Sequence, residues 1–371
     1  MSEPIRVLQV IGIMNLGGAE TMIMNLYRHI DRTKVQFDFV QNENTGAFFD
    51  DEITQLGGKI YHCPRFTGKN YFTYRKWWRD FFDKHHEYAF VHGHIGSTAA
   101  IYLKEAKKHG VPTIAHSHNI SPKSMKQFFY NMLSYPTRNI ADYLFMCSLQ
   151  AGIDRYGESA VSDKKRAYFV PNSIETERYR FNEETREKVR RSIDIAEDTL
   201  LIGHVGRLAD QKNHLFLLDI FSEIVKRQPT ARLLLVGDGT LRKEIEAKIN
   251  VMDLSGKVIL TGNRSDVNEL LMAMDVFVFP SKYEGFGIGY VEAQCSGLPC
   301  IISDKVTPEG ILIKEAVTVI SLQSSTSEWA NAILNCKTLK REECAALVKE
   351  AGFDVVRNAK RLEEFYLEKG K

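Results

Sequence analysis

The stretch IRVLQVIGIMNLGGAETMIMNLYRHI, residues 5–30, joins a β-rich apolar run to a glycine-rich turn and then to a helical pattern. The run Arg6–Ile11 stays apolar instead of alternating, which is how a strand covered on both faces reads. A helix is expected over 19–30. The same unit then repeats outward along the chain: strands at Gln36–Val40, Lys59–His62, Phe90–His92, Thr113–His116, Tyr143–Cys147 and Ala167–Val170, with helices near 47–56, 71–85, 98–108 and 125–140. Strand–helix alternation of this kind implies a parallel sheet with helices on both sides, a doubly wound α/β domain.

After Pro171-Asn172 the polar stretch Glu175–Arg191 offers little to bury besides Phe181 and Val189, and the domain boundary is placed there. The series restarts with strands at Leu200–Val205, Arg232–Val236, Lys257–Thr261, Val276–Phe279, Cys300–Ser303 and Val317–Ile320. Helices are expected over 214–228, 240–250, 267–273 and 288–297. Two Rossmann-like domains, 1–171 and 172–351, are therefore expected to face each other, with an amphipathic helix over 352–371 as a candidate to dock on the first. Ligands of such sheets bind beyond the carboxyl ends of the strands, so the cleft between the domains is the expected site.

Composition narrows the class. The chain has 371 residues, 44% apolar and 26% charged, and no apolar run approaches the roughly 18 residues that span a bilayer. A net charge of +2 is too small for a dedicated nucleic-acid binder. The charge is uneven: residues 1–175 carry 21 basic against 17 acidic side chains and nine of the eleven histidines. Six cysteines lie far apart with no zinc-like spacing, and read as reduced, mostly buried thiols. The amino terminus has an apolar stretch long enough for a signal peptide, but it carries Glu3 and lacks a small-residue cleavage site. The expected location is the cytoplasm, or the inner face of the membrane.

The strongest local signal is EGFGIGYVEA, residues 284–293, which follows the strand Val276–Phe279 and opens a helix. Glycines let a ligand approach the backbone, and uncapped amides at a helix start attract anions, so a phosphate fits near Gly285–Gly287. Glu284 and Glu292 could then accept hydrogen bonds from hydroxyls on either side of it. The plain alternative is a helix-start turn with Glu292 in solvent. Arg207 and Lys212 follow the strand ending at Val205; together they could neutralise a departing diphosphate, or form an exposed basic loop. Gly12-x4-Gly17-Gly18 has the spacing of a phosphate loop but lacks its lysine and hydroxyl. His116-Ser117-His118 closes the strand from Thr113, with both histidines on one side and Asn119 beside them, and His92 and His94 repeat the pattern.

The combination of Glu284-x7-Glu292 with Gly206-Arg207-Leu208, Gln211-Lys212, Gly237-Asp238-Gly239 and Gly17-Gly18-Ala19-Glu20 resembles family 4 of the retaining glycosyltransferases, the glycosyl transferases group 1. The resemblance covers nearly the whole chain in the family's motif order. It implies the GT-B architecture, with the first domain binding the acceptor and the second a nucleotide-diphosphate sugar, a UDP-sugar being favoured. It implies that Arg207 and Lys212 face the leaving diphosphate, that Glu284 and His118 reach the transferred sugar, and that Glu292 holds the ribose. Gly17, Gly18, Gly285, Phe286, Gly287 and Ile288 would contact the donor, and Asn263 with Arg264 the nucleobase. Asn263-Arg264 could equally be a bare turn, and Glu20 a helix-start support.

No Asp-x-Asp occurs, so no divalent metal and no separate cofactor is expected. The acceptor would be a saccharide or lipid-linked saccharide. The aromatic and basic segments 70–85 and 123–135 read either as core-facing helices or as an interfacial surface for such an acceptor. Rival readings are a sugar-nucleotide epimerase or a phosphorylase on the same fold, or a non-catalytic carbohydrate-binding protein. A dinucleotide oxidoreductase is weaker: Arg242 and Tyr290 stand where a third glycine would be needed.

Overall fold

The computed structural model describes residues 3–15, 17–42, 46–118, 132, 134–284 and 286–370. It divides into two compact units, Met1–Ile174 with Asp354–Lys371, and Glu175–Phe353.

The first unit carries seven parallel strands: β1 (Ile5–Ile11), β2 (Val35–Gln41), β3 (Ile60–His62), β4 (Tyr88–Gly93), β5 (Thr113–Ser117), β6 (Tyr143–Met146) and β7 (Ala167–Phe169). Their order is β3-β2-β1-β4-β5-β6-β7. The winding therefore reverses between β1 and β4, which pair with each other. One face of this sheet packs Val7, Phe37, Phe39 and Phe90 against the helix Gly18–His29 and against Leu362 and Tyr366 of the carboxyl-terminal helix Val355–Lys369. The other packs Leu8, Val10 and Val91 against Tyr74, Trp78 and Phe82 of Tyr71–Phe82 and Tyr102 of Gly96–Lys108. The apolar run of residue types along β1 follows from this burial on both sides.

The carboxyl-terminal helix is anchored at its start. Asp354 caps it through the Arg357 amide, the Val355 amide donates to the Ile174 carbonyl, and Asn358 donates to Ser173 Oγ at 2.6 Å.

In the aromatic segment 70–85, Trp78 is fully buried and packs on Tyr102 at 5.2 Å, and the half-buried Trp77 stacks on Phe81. Trp78 is core and cannot meet a lipid surface; the exposed rings are those of Tyr71 and Phe72. Most of 123–135, including Phe128 and Phe129, lies outside the described residues.

The second unit has six parallel strands: β8 (Leu201–Val205), β9 (Arg232–Val236), β10 (Val258–Gly262), β11 (Val276–Phe279), β12 (Cys300–Ser303) and β13 (Val317–Ile320). The order β10-β9-β8-β11-β12-β13 reverses between β8 and β11. Two buried clusters again cover both faces.

The stretch that reads as a polar linker contains a 3-10 turn, Thr176–Tyr179, and a helix, Glu183–Ser192. Its arginines explain the difference. Arg186 donates to the carbonyls of Met272, Ala273 and Met274, and Arg190 to Ala273, with both paired to Asp275. These cations cap the carboxyl end of the helix Val267–Ala273 instead of facing water. Helices Leu149–Tyr156, Thr326–Leu334 and Arg341–Val348 also lie outside the sequence expectations. Among the described residues no helix is long and apolar enough to cross a membrane.

Candidate active site

In an open α/β sheet the reversal of strand order leaves a crevice at the strands' carboxyl ends, because the two flanking loops turn to opposite faces. In the second unit the flanking loops are 206–213 after β8 and 280–287 after β11. They are tied together: the Lys282 amide donates to the Gln211 carbonyl at 2.8 Å, Gln211 Nε2 to the Tyr283 carbonyl at 3.0 Å, and Asn213 Nδ2 to the Pro280 carbonyl at 3.1 Å. Lys282 also pairs with Asp210. This brings Lys212 and Glu284, 72 positions apart, into an ion pair of 2.7 Å with side chains 17% and 6% exposed. The Lys212 ammonium also lies 4.5 Å from the Phe279 ring centroid. Arg207 is exposed, and its side chain makes no hydrogen bond or ion pair among the described residues.

Two glycines make this crossing possible. Gly237 has φ 132°, and a Cβ there would lie 2.3 Å from the Gly206 carbonyl oxygen; a Cβ on Gly239 would lie 2.4 Å from that of Leu208. The loop after β9 therefore lies backbone on backbone against the Arg207 turn, and larger residues would push Arg207 out of place.

Gly287, at φ 79°, precedes the helix Ile288–Cys295, whose start has no side-chain cap. The first-turn amides at Ile288 and Gly289 thus stay available to an anion. Gly285 lies outside the described residues. Phe286 is buried and stacks on Phe353 at 5.4 Å, so its ring holds the turn down and only its backbone could meet a ligand. Glu292 is half-buried and accepts from Tyr179 Oη at 2.7 Å. Burial pushes its carboxyl up to about 7, against the opposing pull of the Tyr179 hydrogen bond and nearby Arg178 and Lys212. Asn263 is exposed, and the exposed Arg264 is engaged by Asp266 at 2.5 Å. Asp304, at the next strand end, pairs with Lys305 and accepts from the Leu322 amide, which gives it a turn-forming role.

The first unit's reversal is built differently. Gly17 precedes the helix that begins at Gly18, and a Cβ on Gly17 would meet Glu20 Oε2 at 2.3 Å, so the Glu20 carboxylate folds back over the turn. A Cβ on Gly18 would meet nothing within 4 Å. From β4 and β5 come four histidines in two facing pairs: His92 Nε2 to His116 Nδ1 at 3.1 Å, and His94 Nδ1 to His118 Nε2 at 2.7 Å. The His116 and His118 ring centroids are 4.0 Å apart. Burial drives the imidazoles towards neutrality, and His118, with Arg155 adding to the effect, falls to about 3. Among the described residues, His92, His94 and His116 are the group with ring nitrogens close enough, within 4.8 Å, to share a metal ion. Asn119 lies outside the described residues.

Two family models divide the chain between them: Glycosyltransferase Family 4 matches residues 16–178, and Glycosyl transferases group 1 matches residues 185–352. The chain is 36% identical over 369 residues to a putative glycosyltransferase EpsF of Bacillus subtilis, covering 97% of this chain and 96% of that protein. It belongs to the family 4 glycosyltransferases. A UDP-Gal:alpha-D-GlcNAc-diphosphoundecaprenol alpha-1,3-galactosyltransferase of Escherichia coli is 24% identical over 299 residues, covering 77% of this chain and 76% of that one. In fold, this family 4 chain is similar to Anabaena HepE solved with UDP, with a TM-score of 0.79 at 19% identity over 98% of this chain and all of that one. WaaG, a glycosyltransferase of lipopolysaccharide biosynthesis, gives 0.74 at 16% identity, covering 97% of this chain and 99% of that one. The two α/β units are those of the GT-B fold.

Three side chains of this glycosyltransferase that touch the candidate residues escaped sequence reasoning. Tyr179 lies in the stretch that reads as a linker, yet it holds Glu292. Gln9 is a polar residue inside an apolar strand, 1% exposed, with Oε1 2.8 Å from His94 Nε2. Tyr366, in the carboxyl-terminal helix, lies with its hydroxyl 2.6 Å from His92 Nδ1. A lone glutamine in a buried strand is the one local signal of the three.

Proposed function

We propose that this glycosyltransferase is a retaining, metal-independent enzyme that moves a sugar from a nucleoside-diphosphate donor, a UDP-sugar being favoured, to a hydroxyl of a saccharide or lipid-linked saccharide. The observation that carries this reading is the Lys212–Glu284 pair beside the uncommitted Arg207, next to a helix start with no side-chain cap. Two cations and free amides suit the charge that grows on a leaving diphosphate, and a preorganised donor at such a position contributes about 3 kcal/mol. When a diphosphate takes up Lys212, Glu284 is released to accept from sugar hydroxyls. Glu292 with Tyr179 offers a second hydroxyl-binding point suited to a ribose.

Membership of the family favours front-face substitution: the bond from the anomeric carbon to the diphosphate oxygen breaks as the acceptor oxygen bonds to the same face, and the acceptor proton passes to the leaving diphosphate. The names of the relatives support an acceptor in polysaccharide or glycolipid assembly, and peripheral attachment at the inner membrane face follows from such an acceptor. The test is a panel of nucleotide sugars screened by thermal shift and then by donor hydrolysis, followed by the anomeric configuration of the transferred sugar. Turnover of one donor with retained configuration supports the reading. An inverted product, or interconversion of donors with no transfer, contradicts it.

Membrane contact has its own test. Binding to anionic vesicles should fall between low and high salt, since each basic residue near the surface contributes about 1 kcal/mol and is screened. Because Trp78 is core, the substitution that reads out the surface is Phe72→Ser; unchanged vesicle binding in that variant removes this face from the contact.

A further inference from the structure

We propose that His92, His94 and His116 form a binding site for one transition-metal ion of the zinc class, separate from the diphosphate site and outside the transfer step. The sheet puts the three side chains on one face. β4 and β5 run side by side with His92 opposite Ile114 and Gly93 opposite Ala115, so the alternation of side chains brings His92, His94 and His116 together at the carboxyl ends of the two strands. One ring nitrogen from each lies within 4.8 Å of the other two. His92 Nε2 and His116 Nδ1 stand 3.1 Å apart. Two nitrogens that each ligate one tetrahedral zinc at about 2.0–2.1 Å are separated by about 3.3 Å, so this pair needs little adjustment to share an ion.

The outer nitrogens of two of the rings are already held. His94 Nε2 lies 2.8 Å from Gln9 Oε1, and His92 Nδ1 lies 2.6 Å from the Tyr366 hydroxyl. Each of these rings can therefore keep its proton outward, on a partner that fixes the plane of the ring, and turn a lone pair inward from His94 Nδ1 and His92 Nε2. A second hydrogen bond of this kind orients a ligating histidine and raises its basicity. Burial keeps the three imidazoles neutral, which is the form that ligates. His118 Nε2, 2.7 Å from His94 Nδ1, is the group placed to take the fourth position.

This donor set consists of imidazoles alone. Magnesium, calcium and manganese favour carboxylate, carbonyl and water oxygens, whereas imidazole suits zinc, nickel and copper. The ion is thus not the one that an Asp-x-Asp pair would hold on a diphosphate. His94 is partly exposed while His92 and His116 are buried, so the ion enters past His94. Once bound, it joins β4 to β5 and, through Tyr366, to the carboxyl-terminal helix, and the melting temperature should rise.

Equilibrium dialysis of the full-length protein against zinc chloride at neutral pH, read by metal analysis and by melting temperature, tests the site, with cobalt as a spectroscopic substitute. The wild type should hold one zinc per chain, melt higher with it, and give the strong visible absorption of cobalt in tetrahedral nitrogen coordination; magnesium should do none of these. His94→Leu should lose the ion and the zinc-dependent rise in melting temperature. Gln9→Leu, which removes the outward acceptor of His94, should keep one site with its affinity lowered tenfold or more. Should His94→Leu not fold, Gln9→Leu carries the test. Failure of the wild type to hold stoichiometric zinc would overturn the proposal, and so would zinc affinity unchanged in either variant, which would place the ion on other histidines. No donor or acceptor is present in these measurements, so their outcome stands apart from that of the proposed transfer chemistry.

Discussion

At the reversal of the first sheet, between β1 and β4, the candidate groups are buried imidazoles linked to an amide and a phenol, whereas at the reversal of the second, between β8 and β11, they are Lys212, Glu284 and Arg207. The topology is the same and the chemistry opposite. Burying an isolated charge costs several kcal/mol, so a site that must meet charge keeps its cations paired or at the surface, as Lys212 and Arg207 are. A site that must tell hydroxyls apart gains more from fixed donors and acceptors in a dry setting. The difference teaches that each unit is preorganised for a different chemistry: charge in the second, direction of hydrogen bonding in the first.

The largest effect that would break this comparison is at Arg207. Because its side chain is uncommitted, Arg207→Ala should lower turnover by 10²-fold or more, about 3 kcal/mol, with the melting temperature unchanged. Near-normal turnover would remove it from the site. Lys212→Ala should show a similar loss, but it leaves Glu284 buried and unpaired, so a fall in stability is expected as well. Lys212→Ala combined with Glu284→Gln should restore the melting temperature and leave turnover low.

The next effect is pH-dependent stability at Glu292. Its carboxyl holds a proton to about pH 7 in the folded protein and to about 4.5 when unfolded. Between those values the folded state binds more protons, so stability falls as pH rises from 4.5 to 7, by about 3 kcal/mol. Glu292→Gln should flatten denaturant midpoints across that window; an unchanged slope would place the effect elsewhere. The same residue separates the two glutamates: Glu292→Ala should weaken free-nucleotide binding, whereas Glu284→Ala should spare it and impair use of the full donor. Equal losses for both ligands would refute the division.

The smallest expected effect is none at all. With two cations and a helix start in place of a metal, a chelator should leave the rate unchanged. Loss in EDTA, restored by magnesium or manganese, would contradict the account.

Both sheets were legible because most of their strands are apolar runs separated by polar, glycine or proline turns and helical patterns, and strands such as Arg232–Val236 and Val276–Phe279 stand where the residue pattern puts them. Lys212 and Glu284 were legible one at a time, each as a group following a strand end. Their pairing was not, since nothing in a sequence states that β8 and β11 are neighbours. The helix Glu183–Ser192 was hidden because its arginines cap carbonyls of another helix, a use of charge that local composition cannot distinguish from solvation. Gln9 and Tyr366 were hidden for a related reason: the meaning of each lies in a partner far along the chain.

The most direct test of the division between the two sites is titration of UDP into two sets of variants at two salt concentrations. If charge belongs to the second unit alone, Arg207→Ala and Lys212→Ala should weaken UDP binding and reduce its salt dependence, while His118→Ala and Gln9→Glu should bind UDP as the wild type does. UDP binding that survives in the cation variants and disappears in the histidine-chain variants would contradict the account.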